Sequence, residues 1–374
     1  MAGYPMQTTD LESAGLRPEQ IARLAALTEK HIAEGRFPGA QIAIARHGKL
    51  AWFKTFGDAA IGRKATDANV WLLFSNTKVV TAAALWVLAE QGAFRFVDRV
   101  SDHVPEFARH GKKDISILQV MTHRGGYPNA DTPPAVWEDH ALMRETVCNY
   151  PLEFTPGSRL HYHGATAHWT AAVLIEAVTG KDFREVIRET VTRPLGLENE
   201  IIVGMTTKKQ LAAAADMHEP AEGGGVVPAA DRNTEAFRRA GVPGGGGYAT
   251  ARGMAAFYQM MLAGGALAGR RVVGPRVLDY AIRNWTGEMV DHAMGMPMHR
   301  GIGPHIRGTT ESIRGLGSFA SPRTFGHGGA GNSYCWADPD SGVSFAYLTN
   351  CRVPDPWHSV RLDLVSNFVH SAIV

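Results

Sequence analysis

The spacing of apolar residues predicts helices close to both ends of the chain. Within Pro18–Glu34, apolar side chains recur every three or four positions, at Ile21, Leu24, Leu27 and Ile32. This interval places them on one face of an α-helix, with charged residues on the other face. Gly35 and Pro38-Gly39 follow and end the predicted helix. A closing helix is predicted over Leu362–Val374.

Short runs of small, β-branched and aromatic residues predict four strands, two near each end of the chain. Ala40–Ala45 and Leu50–Phe56 flank the turn His47-Gly48-Lys49, which is typical of a β-hairpin. Thr324–Ala337 and Val343–Thr349 are predicted as single strands separated by a turn that contains proline and glycine. Because the early strands find convincing partners only in the late ones, the sequence predicts an antiparallel sheet assembled from both chain ends.

The middle of the chain is mainly helical in its pattern. The apolar run Val79–Ala89 is followed by four further predicted helices, at Ile115–Thr122, Trp137–Cys148, Ala165–Val178 and Phe183–Thr192. We therefore predict an α/β fold of the α+β type, an antiparallel sheet flanked by helices. Residues 1–70 and 250–374 would form the sheet lobe and residues 71–249 an inserted helical lobe, together one discontinuous catalytic unit.

Composition narrows the class of ligand to small molecules. The 374 residues are 45% hydrophobic and 20% charged, and the formal net charge is +2. These values exclude a disordered chain and give no charge excess for binding nucleic acid. No apolar run reaches membrane-spanning length, so no membrane partner is expected. The sequence does not determine the oligomeric state.

The cysteines and the N-terminus predict a cytoplasmic location. Cys148, Cys335 and Cys351 are widely spaced and odd in number, which argues against a disulfide framework and a zinc ribbon. Met1–Gln20 has no basic segment followed by an apolar one, as a secretory signal would have. Reduced intracellular thiols are the simplest interpretation.

The candidate chemistry begins at Ser75 and Lys78, which lie three residues apart where the apolar run begins. Residues with this separation share a helix face, so the hydroxyl and the amine can meet. A lysine whose pKa is lowered by burial or by nearby positive charge can take the serine proton and make the hydroxyl a nucleophile. Ser-x-x-Lys alone is a weak signal, because a serine N-cap before a solvated lysine gives the same letters.

Two later stretches strengthen this signal. Pro156–Gly164 forms a turn before an apolar helix and carries Tyr162, which can reach across a cleft. Gly326–Gly331 (Gly-His-Gly-Gly-Ala-Gly) falls in the predicted late strand, where glycines contribute little to packing. We interpret these glycines as positions where a ligand approaches the backbone.

The three elements resemble the serine β-lactamase and penicillin-binding-protein superfamily. The branch most similar to this chain is the class C-like one, which holds class C β-lactamases, DD-peptidases and the family VIII carboxylesterases. Its S-x-x-K, Y-x-N and K-T-G elements would be Ser75–Lys78, Tyr162–Gly164 and His327–Gly329. Connecting segments also match, among them Phe96–Val100, Met121–His123, Pro194–Leu197 and Gly246–Thr250.

The resemblance implies an active site between the sheet and the helical lobe. Ser75 would form an acyl-enzyme, and Lys78 and Tyr162 would share its proton, without a decision on which is the base. The N–H groups of Ser75 and Ala330 would form the oxyanion hole. The substrate would lie against a further set of residues, His327, Gly328, Gly329 and Gly164. The mechanism requires no metal and no other cofactor.

Two departures from the family pattern favour ester hydrolysis. Gly164 stands where the family often has asparagine, so an amide that would hold a substrate amide is missing. His327 replaces the lysine of K-T-G, so a permanent cation for a substrate carboxylate is lost at neutral pH. Family VIII esterases usually carry such a variant. The alternatives are a β-lactamase, a D-amino-acid amidase or peptidase, and an acyltransferase on the same fold.

Three other functions fit the sequence less well. A zinc hydrolase is suggested by the spacing of His161, His163 and His168, but no second half-site completes the ligand set. An α/β-hydrolase lacks its G-x-S-x-G element, and a non-catalytic sensor would not need all three catalytic residue types. We expect Tyr127–Trp137 and Met289–His305 to contribute walls of the pocket.

Overall fold

The computed structural model describes residues 4–130, 132–311 and 315–374. Residues 1–3 of the N-terminal stretch and residue 131 of the predicted pocket loop lie outside the described residues. The strands are β1 (Gln7–Thr8), β2 (Gly39–Arg46), β3 (Lys49–Ala60), β4 (Arg63–Lys64), β5 (Trp71–Leu72), β6 (Ile201–Val203), β7 (His218–Pro220), β8 (Val226–Pro228), β9 (Gly247–Ala249), β10 (Ala266–Leu267), β11 (Arg270–Arg271), β12 (Val290–Asp291), β13 (Met296–Pro297), β14 (His299–Arg300), β15 (His305–Ile306), β16 (Phe325–Gly328), β17 (Tyr334–Asp338) and β18 (Val343–Thr349). The helices are α1 (Pro18–Ala33), α2 (Thr77–Glu90), α3 (Val100–His103), α4 (Ile117–Met121), α5 (His140–Cys148), α6 (Thr166–Thr179), α7 (Phe183–Ile187), α8 (Lys208–Ala213), α9 (Glu235–Ala240), α10 (Ala251–Leu262), α11 (Pro275–Ala281) and α12 (Trp357–Ala372).

The main sheet joins both ends of the chain, which confirms the predicted sheet. Its nine strands run in the order β1-β3-β2-β18-β17-β16-β15-β14, with β4 attached to β3. All pairs are antiparallel except β1 with β3, which is parallel. The early hairpin meets the late strands along β2 and β18, where Ala43 lies opposite Ala346.

Helices cover both faces of this sheet because its strands alternate in side-chain direction. Ile42 and Ile44 of β2 pack in one cluster with Leu24 of α1 and Val365 of α12. Their neighbours Ala43 and Ala45 belong to the cluster on the opposite face, which includes residues of α10 and α2. The small alanine side chains allow α10 to lie close to the sheet.

The predicted helices are present with shifted ends. α4 and α5 are shorter than predicted, because each begins only at the residue after a capping side chain, Ser116 and Asp139. The stretch Phe183–Thr192 is helical throughout, but Arg188–Thr192 forms a π-helical turn. In the described part of the chain, no helix has the length and apolar character needed to cross a membrane. The lobe boundaries at residues 70 and 250 stay a prediction.

One predicted strand is wrong in a way that matters for the site. Thr324–Ala337 is not a single strand but an antiparallel hairpin of β16 and β17, in which Gly328 lies opposite Tyr334. The chain reverses at 329–333, where Gly331 has a φ of +75°. Only glycine adopts this left-handed conformation without strain, so the glycine run encodes a turn as well as a strand. The hairpin places His327 on a strand and Ala330 on its loop.

Candidate active site

Ser75 lies in a tight turn between β5 and α2. Phe74–Asn76 forms one turn of 3₁₀ helix, and α2 follows directly at Thr77. Phe74 has a φ of +43°, which is uncommon and strained for a bulky side chain. Strain of this kind persists where the surrounding structure fixes it, frequently at active sites. The turn leaves Ser75 half-buried, two residues before the helix that was predicted to begin with it.

Lys78 is fully buried in the first turn of α2 and points at Ser75. Its Nζ lies 3.1 Å from Ser75 Oγ. The same Nζ donates to the carbonyl oxygens of Gly164, at 2.7 Å, and Gly244, at 2.6 Å. An ammonium group has three N–H donors, so these three acceptors fix its position. The predicted meeting of hydroxyl and amine is therefore present in the structure.

Tyr162 reaches the same hydroxyl from the segment before α6. Its phenolic oxygen lies 2.8 Å from Ser75 Oγ, within hydrogen-bond distance. The ring centroid lies 5.3 Å from Lys78 Nζ. The structure therefore brings the serine, the amine and the phenol together from residues up to 87 positions apart.

The His327 element forms the opposite wall of the site. His327 is buried on β16, and its ring centroid lies 6.2 Å from that of Tyr162. Its Nδ1 lies 2.8 Å from the carbonyl oxygen of Gly328, so Nδ1 carries the proton of that contact. The N–H of Gly329 is used by the hairpin, since it donates to Ser333 at 2.8 Å. Ala330 is exposed, and its N–H donates to no acceptor among the described residues.

The glycines of this element are required by packing, and the approach of a ligand to their backbone stays a prediction. A Cβ at Gly329 would lie 2.7 Å from the carbonyl oxygen of Leu73 and still closer to Asn332 Oδ1 and Ser333 Oγ. A Cβ at Gly326 would collide with the backbone of β17. Protein atoms, rather than a ligand, occupy the space that a side chain would need. The result is close contact between the hairpin and the strand that leads to Ser75.

Gly164 faces an asparagine from another part of the chain. Its N–H donates to Asn129 Oδ1 at 2.5 Å, and its carbonyl oxygen accepts from Lys78. A Cβ at Gly164 would lie 3.3 Å from the same Asn129 oxygen. Asn129 belongs to the predicted pocket loop Tyr127–Trp137 and is solvent-exposed. A carboxamide therefore lies beside position 164, although residue 164 does not supply it.

A glycine-rich loop closes the side of the site next to α2. Residues 243–247 (Pro-Gly-Gly-Gly-Gly) form this loop and lead into β9. In the structure this loop is held by α2, because Thr77 Oγ1 accepts from Gly247 N at 3.0 Å and Thr81 Oγ1 donates to Pro243 O at 2.7 Å. These bonds bring the Gly244 carbonyl to Lys78. The role of Gly244 was missed, since a backbone carbonyl has no signal in the amino-acid letters.

Buried histidines lie around Tyr162, but the described residues do not form the zinc site that their spacing suggests. Burial lowers the pKa of His123 and His168 well below the usual range, and it lowers the pKa of His163 to about 4. Neutral rings are therefore expected at pH 7. The ligand nitrogens of His161, His163 and His168 do not converge within 4.8 Å in the described structure.

A different group of possible metal ligands lies elsewhere, at His140, Glu176 and Asp182. His140 Nδ1 contacts Glu176 at 2.6 Å, and its Nε2 lies 3.1 Å from Arg184. Arg184 also pairs with Asp182 at 2.6 Å. The guanidinium thus already supplies the positive charge of this cluster.

Two charged residues near Tyr162 were not identified from the sequence. Asp291 and Arg300 form a fully buried ion pair at 2.5 Å behind the tyrosine. Both fall within Met289–His305, which was predicted to contribute a pocket wall. Asp291 lies 129 residues and Arg300 138 residues after Tyr162 in the chain, each on a short strand. At such separations no sequence spacing predicts a contact with Tyr162.

Comparisons with known proteins agree with this geometry. The sequence profile of the Beta-lactamase family matches residues 24–367. The esterase/beta-lactamase LipL of Mycobacterium tuberculosis (strain ATCC 25618 / H37Rv) is 27% identical over 346 residues, which span 84% of this chain and 77% of LipL. A penicillin-binding protein homolog from Caulobacter crescentus superimposes with a TM-score of 0.80 at 27% identity, covering 94% of this chain and 98% of that one. A family VIII carboxylesterase superimposes with a TM-score of 0.81 at 25% identity, covering 96% and 99%.

Proposed function

The chain belongs to the Beta-lactamase family and is a serine hydrolase with the fold of that family, and we propose that it cleaves carboxylic esters of small molecules through an acyl-enzyme on Ser75. The observation that carries the catalytic part is the double contact of Ser75 Oγ, 2.8 Å from Tyr162 and 3.1 Å from Lys78. Each contact offers a path for the proton that the hydroxyl must lose before it can attack.

In the proposed reaction, Ser75 Oγ bonds to the acyl carbon while its proton passes to the Tyr162–Lys78 pair. The N–H groups of Ser75 and Ala330 stabilise the negative oxygen of the tetrahedral intermediate. The intermediate then expels the alcohol, which takes the proton back from the pair. Water attacks the acyl-enzyme in the same way and releases the carboxylic acid and free Ser75.

The preference for esters rests on His327 and Gly164. An ester has a better leaving group than an amide and needs no cation for a substrate carboxylate. A charged hydrogen bond contributes roughly 1.5 to 3 kcal/mol, or about one to two orders of magnitude, which a β-lactam or peptide would lose without the lysine. The family VIII carboxylesterase supports an ester substrate, whereas the name of LipL includes both activities.

A substrate screen with one gain-of-charge variant tests this proposal. We expect short- and medium-chain p-nitrophenyl esters to be hydrolysed far better than a chromogenic cephalosporin or a D-alanyl-D-alanine peptide. His327→Lys should raise β-lactam turnover relative to ester turnover by about one to two orders of magnitude, because it restores the permanent cation. His292→Lys, which adds the same charge at an exposed position, is the control.

Efficient cleavage of β-lactams by the unmodified protein, with little action on esters, would move the assignment to a β-lactamase. Transfer of the acyl group to added alcohols in preference to water would move it to an acyltransferase. A cytoplasmic location also stays a prediction, supported by three buried cysteines that are free thiols.

A further inference from the structure

Arg300 and Asp291 form the most deeply buried ion pair close to the candidate site. The side chain of Arg300 is 2% exposed and that of Asp291 is fully buried, and Arg300 Nη2 lies 2.5 Å from Asp291 Oδ2. Removing two charges from water costs several kcal/mol for each ion, so a buried pair is weak evidence for stability alone. Its position relative to Tyr162 suggests a different use.

Asp291 holds the backbone of the catalytic tyrosine. Its Oδ1 accepts the N–H of Tyr162 and the N–H of Ala293, both at 3.0 Å. The strand containing Asp291 also pairs with Leu160, two residues before Tyr162. Burial raises the pKa of Asp291, but the Arg300 charge and these hydrogen bonds outweigh it, so the pKa lies below the ordinary value. The carboxylate therefore stays ionised while it positions Tyr162.

Arg300 lies over the ring of the same tyrosine. Its guanidinium carbon is 4.8 Å from the Tyr162 ring centroid, within the range of a cation–π contact. Arg300 Nη1 lies 2.7 Å from His305 Nε2. Because arginine can only donate, His305 Nε2 accepts this bond, which keeps the His305 ring neutral. The guanidinium is thus fixed on three sides by Asp291, Tyr162 and His305.

The positive end of the pair also acts on a ring that lies next to Tyr162. The His123 ring lies 4.8 Å from the Tyr162 ring. Burial lowers the pKa of His123 most, and the charge of Arg300 is the next cause. The guanidinium charge therefore acts on a group in contact with the Tyr162 ring.

We propose that Arg300 is a positioning residue for the reaction, which supplies beside Tyr162 the permanent positive charge that His327 does not provide, and that Asp291 fixes Arg300 and Tyr162 relative to each other. The inference rests on the proposed serine mechanism and deepens it. Before its oxygen can take the Ser75 proton, the Tyr162 phenol must give up its own proton, to solvent or to the neutral Lys78 amine. The guanidinium stabilises the negative charge of the resulting phenolate, which disappears when the phenolate takes the Ser75 proton. Arginine keeps its charge at every working pH, unlike histidine.

Several other groups face the Tyr162 ring and must be considered in any pH experiment. They are Ser75 from the turn before α2, Lys78 from the first turn of α2, His123 after α4, His305 on β15 and His327 on β16. None of these residues is changed in the experiment below, in which only Arg300 and Asp291 are replaced. A shift of the pH profile that occurs only in variants with an altered charge at Arg300 or Asp291 is therefore assigned to this ion pair.

The test compares the pH dependence of kcat/KM in variants that keep or remove the charge. Because a base must be deprotonated to act, activity rises with pH on the acid side. Arg300→Gln removes the charge, so we expect kcat/KM to fall by about ten- to a hundredfold at neutral pH, less than for a direct acid–base residue. The midpoint of the acid limb should move upward by about one pH unit. Arg300→Lys keeps the charge and should keep the midpoint.

A double variant keeps the test valid if the single change unfolds the protein. Arg300→Gln with Asp291→Asn removes both charges and leaves polar side chains of similar size, and such replacement of a buried pair is often tolerated. We expect it to fold and to show a smaller upward shift of the midpoint. If the glutamine variant or the double variant is folded and keeps the wild-type midpoint, Arg300 has only a structural role and the proposal is wrong.

Arg252→Gln is the matched control. Arg252 pairs with Glu200 at 2.7 Å and lies 5.3 Å from the ring of Tyr4, outside the candidate site. We expect a lower Tm without any change in the midpoint. If Arg252→Gln moved the midpoint as Arg300→Gln does, the effect would not be local to Tyr162, which would overturn the proposal.

Acylation of Ser75 by a fluorophosphonate probe provides a second readout. If the wild type labels at Ser75 but hydrolyses no ester, the proposed substrate class fails. The Arg300 inference is then tested by the pH dependence of labelling, with the same expected shift for Arg300→Gln. An unshifted labelling profile would reject it independently of the substrate.

Discussion

Ser75 is the nucleophile of the proposed reaction, and Lys78 and Tyr162 together transfer its proton. Ser75→Ala should remove nearly all activity, because it removes the nucleophile. Lys78→Ala and Tyr162→Phe should each lower kcat by about two or more orders of magnitude, the range for a positioned acid or base. Turnover of a p-nitrophenyl ester and acylation of Ser75 by the probe measure these effects.

The chain offers matched controls for the lysine and the tyrosine. Lys112 is also buried and also donates to three backbone carbonyls, those of Arg109, Cys148 and Tyr150, but it lies away from the site. Tyr248 is a buried tyrosine whose hydroxyl bonds to Arg232. Lys112→Ala and Tyr248→Phe should lower stability and spare kcat. Near-normal turnover in folded Lys78→Ala or Tyr162→Phe would refute the proton-transfer assignment.

At the scale of single residues, the sequence predicts contacts between functional residues that lie close together along the chain. Ser75 and Lys78 are predictable because three-residue spacing on a helix brings them together whatever the rest of the fold does. Tyr162 was identified only through the resemblance to a family, because a separation of this length along the chain does not predict a contact with Ser75. Asp291 and Arg300 escaped because a buried ion pair is defined by its surroundings, which only the fold supplies.

At the scale of elements, the β16–β17 hairpin and the Ser75 turn are built against each other. The side-chain amide of Asn76 and the hydroxyl of Ser333 lie 2.9 Å apart. Asn332 Nδ2 donates to the carbonyl oxygen of Leu72, at the end of β5. These contacts cross 257 and 260 positions of sequence and join the nucleophile to the His327 element. The small size of Gly329 permits this approach.

Gly329→Ala tests this dependence on close packing. The added methyl group would meet Asn332, Ser333 and the carbonyl of Leu73, so the hairpin must move away from Ser75. Overpacking typically costs about 1–3 kcal/mol of unfolding free energy. We expect a loss of that size in chemical denaturation, together with lower kcat. Gly245→Ala is the steric control, because its Cβ would find no atom nearer than 3.9 Å. Equal stability of the two variants would contradict the argument.

The same hairpin marks what element prediction missed. The runs at β2, β3 and β18 alternate between two helix-covered faces, so their residues alone indicate strands. In Thr324–Ala337 some glycines lie in the strand and others form the turn. The residue pattern does not show which glycine has which position. Similarly, β7 and β8 pair on either side of the glycines at 223–225, in a stretch that carries no strand pattern. Short strands of this kind are fixed by tertiary contacts rather than by local propensity.

At the scale of the whole molecule, several histidines are buried without a carboxylate partner to keep them charged. Burial lowers the pKa of His31 and His163 to about 4 and lowers that of His370 as well. His123 and His168 lie still further below their ordinary value for the same reason. These rings are spread over α1, α12 and the candidate site, so their titration affects the stability of the entire fold.

This distribution predicts acid sensitivity in a defined window. The unfolded chain binds a proton at each histidine near pH 6.5, whereas the folded chain does not, so the unfolded state holds more protons below that pH. The contribution of these histidines to the free energy of unfolding should therefore be constant above about pH 7 and fall between pH 6.5 and about 4, the folded pKa of His31 and His163. Each group contributes at most about 1.4 kcal/mol per pH unit in this window.

Urea denaturation at pH 7.5, 6.0 and 5.0 measures the slope of the unfolding free energy against pH. His31→Gln should reduce the slope by up to one proton, because His31 lies in the α1 layer away from Ser75, and the exposed His292→Gln should leave it unchanged. If wild-type stability were the same at pH 7.5 and 5.0, the buried rings would have to be protonated in the folded state, and the environment described for them would be wrong.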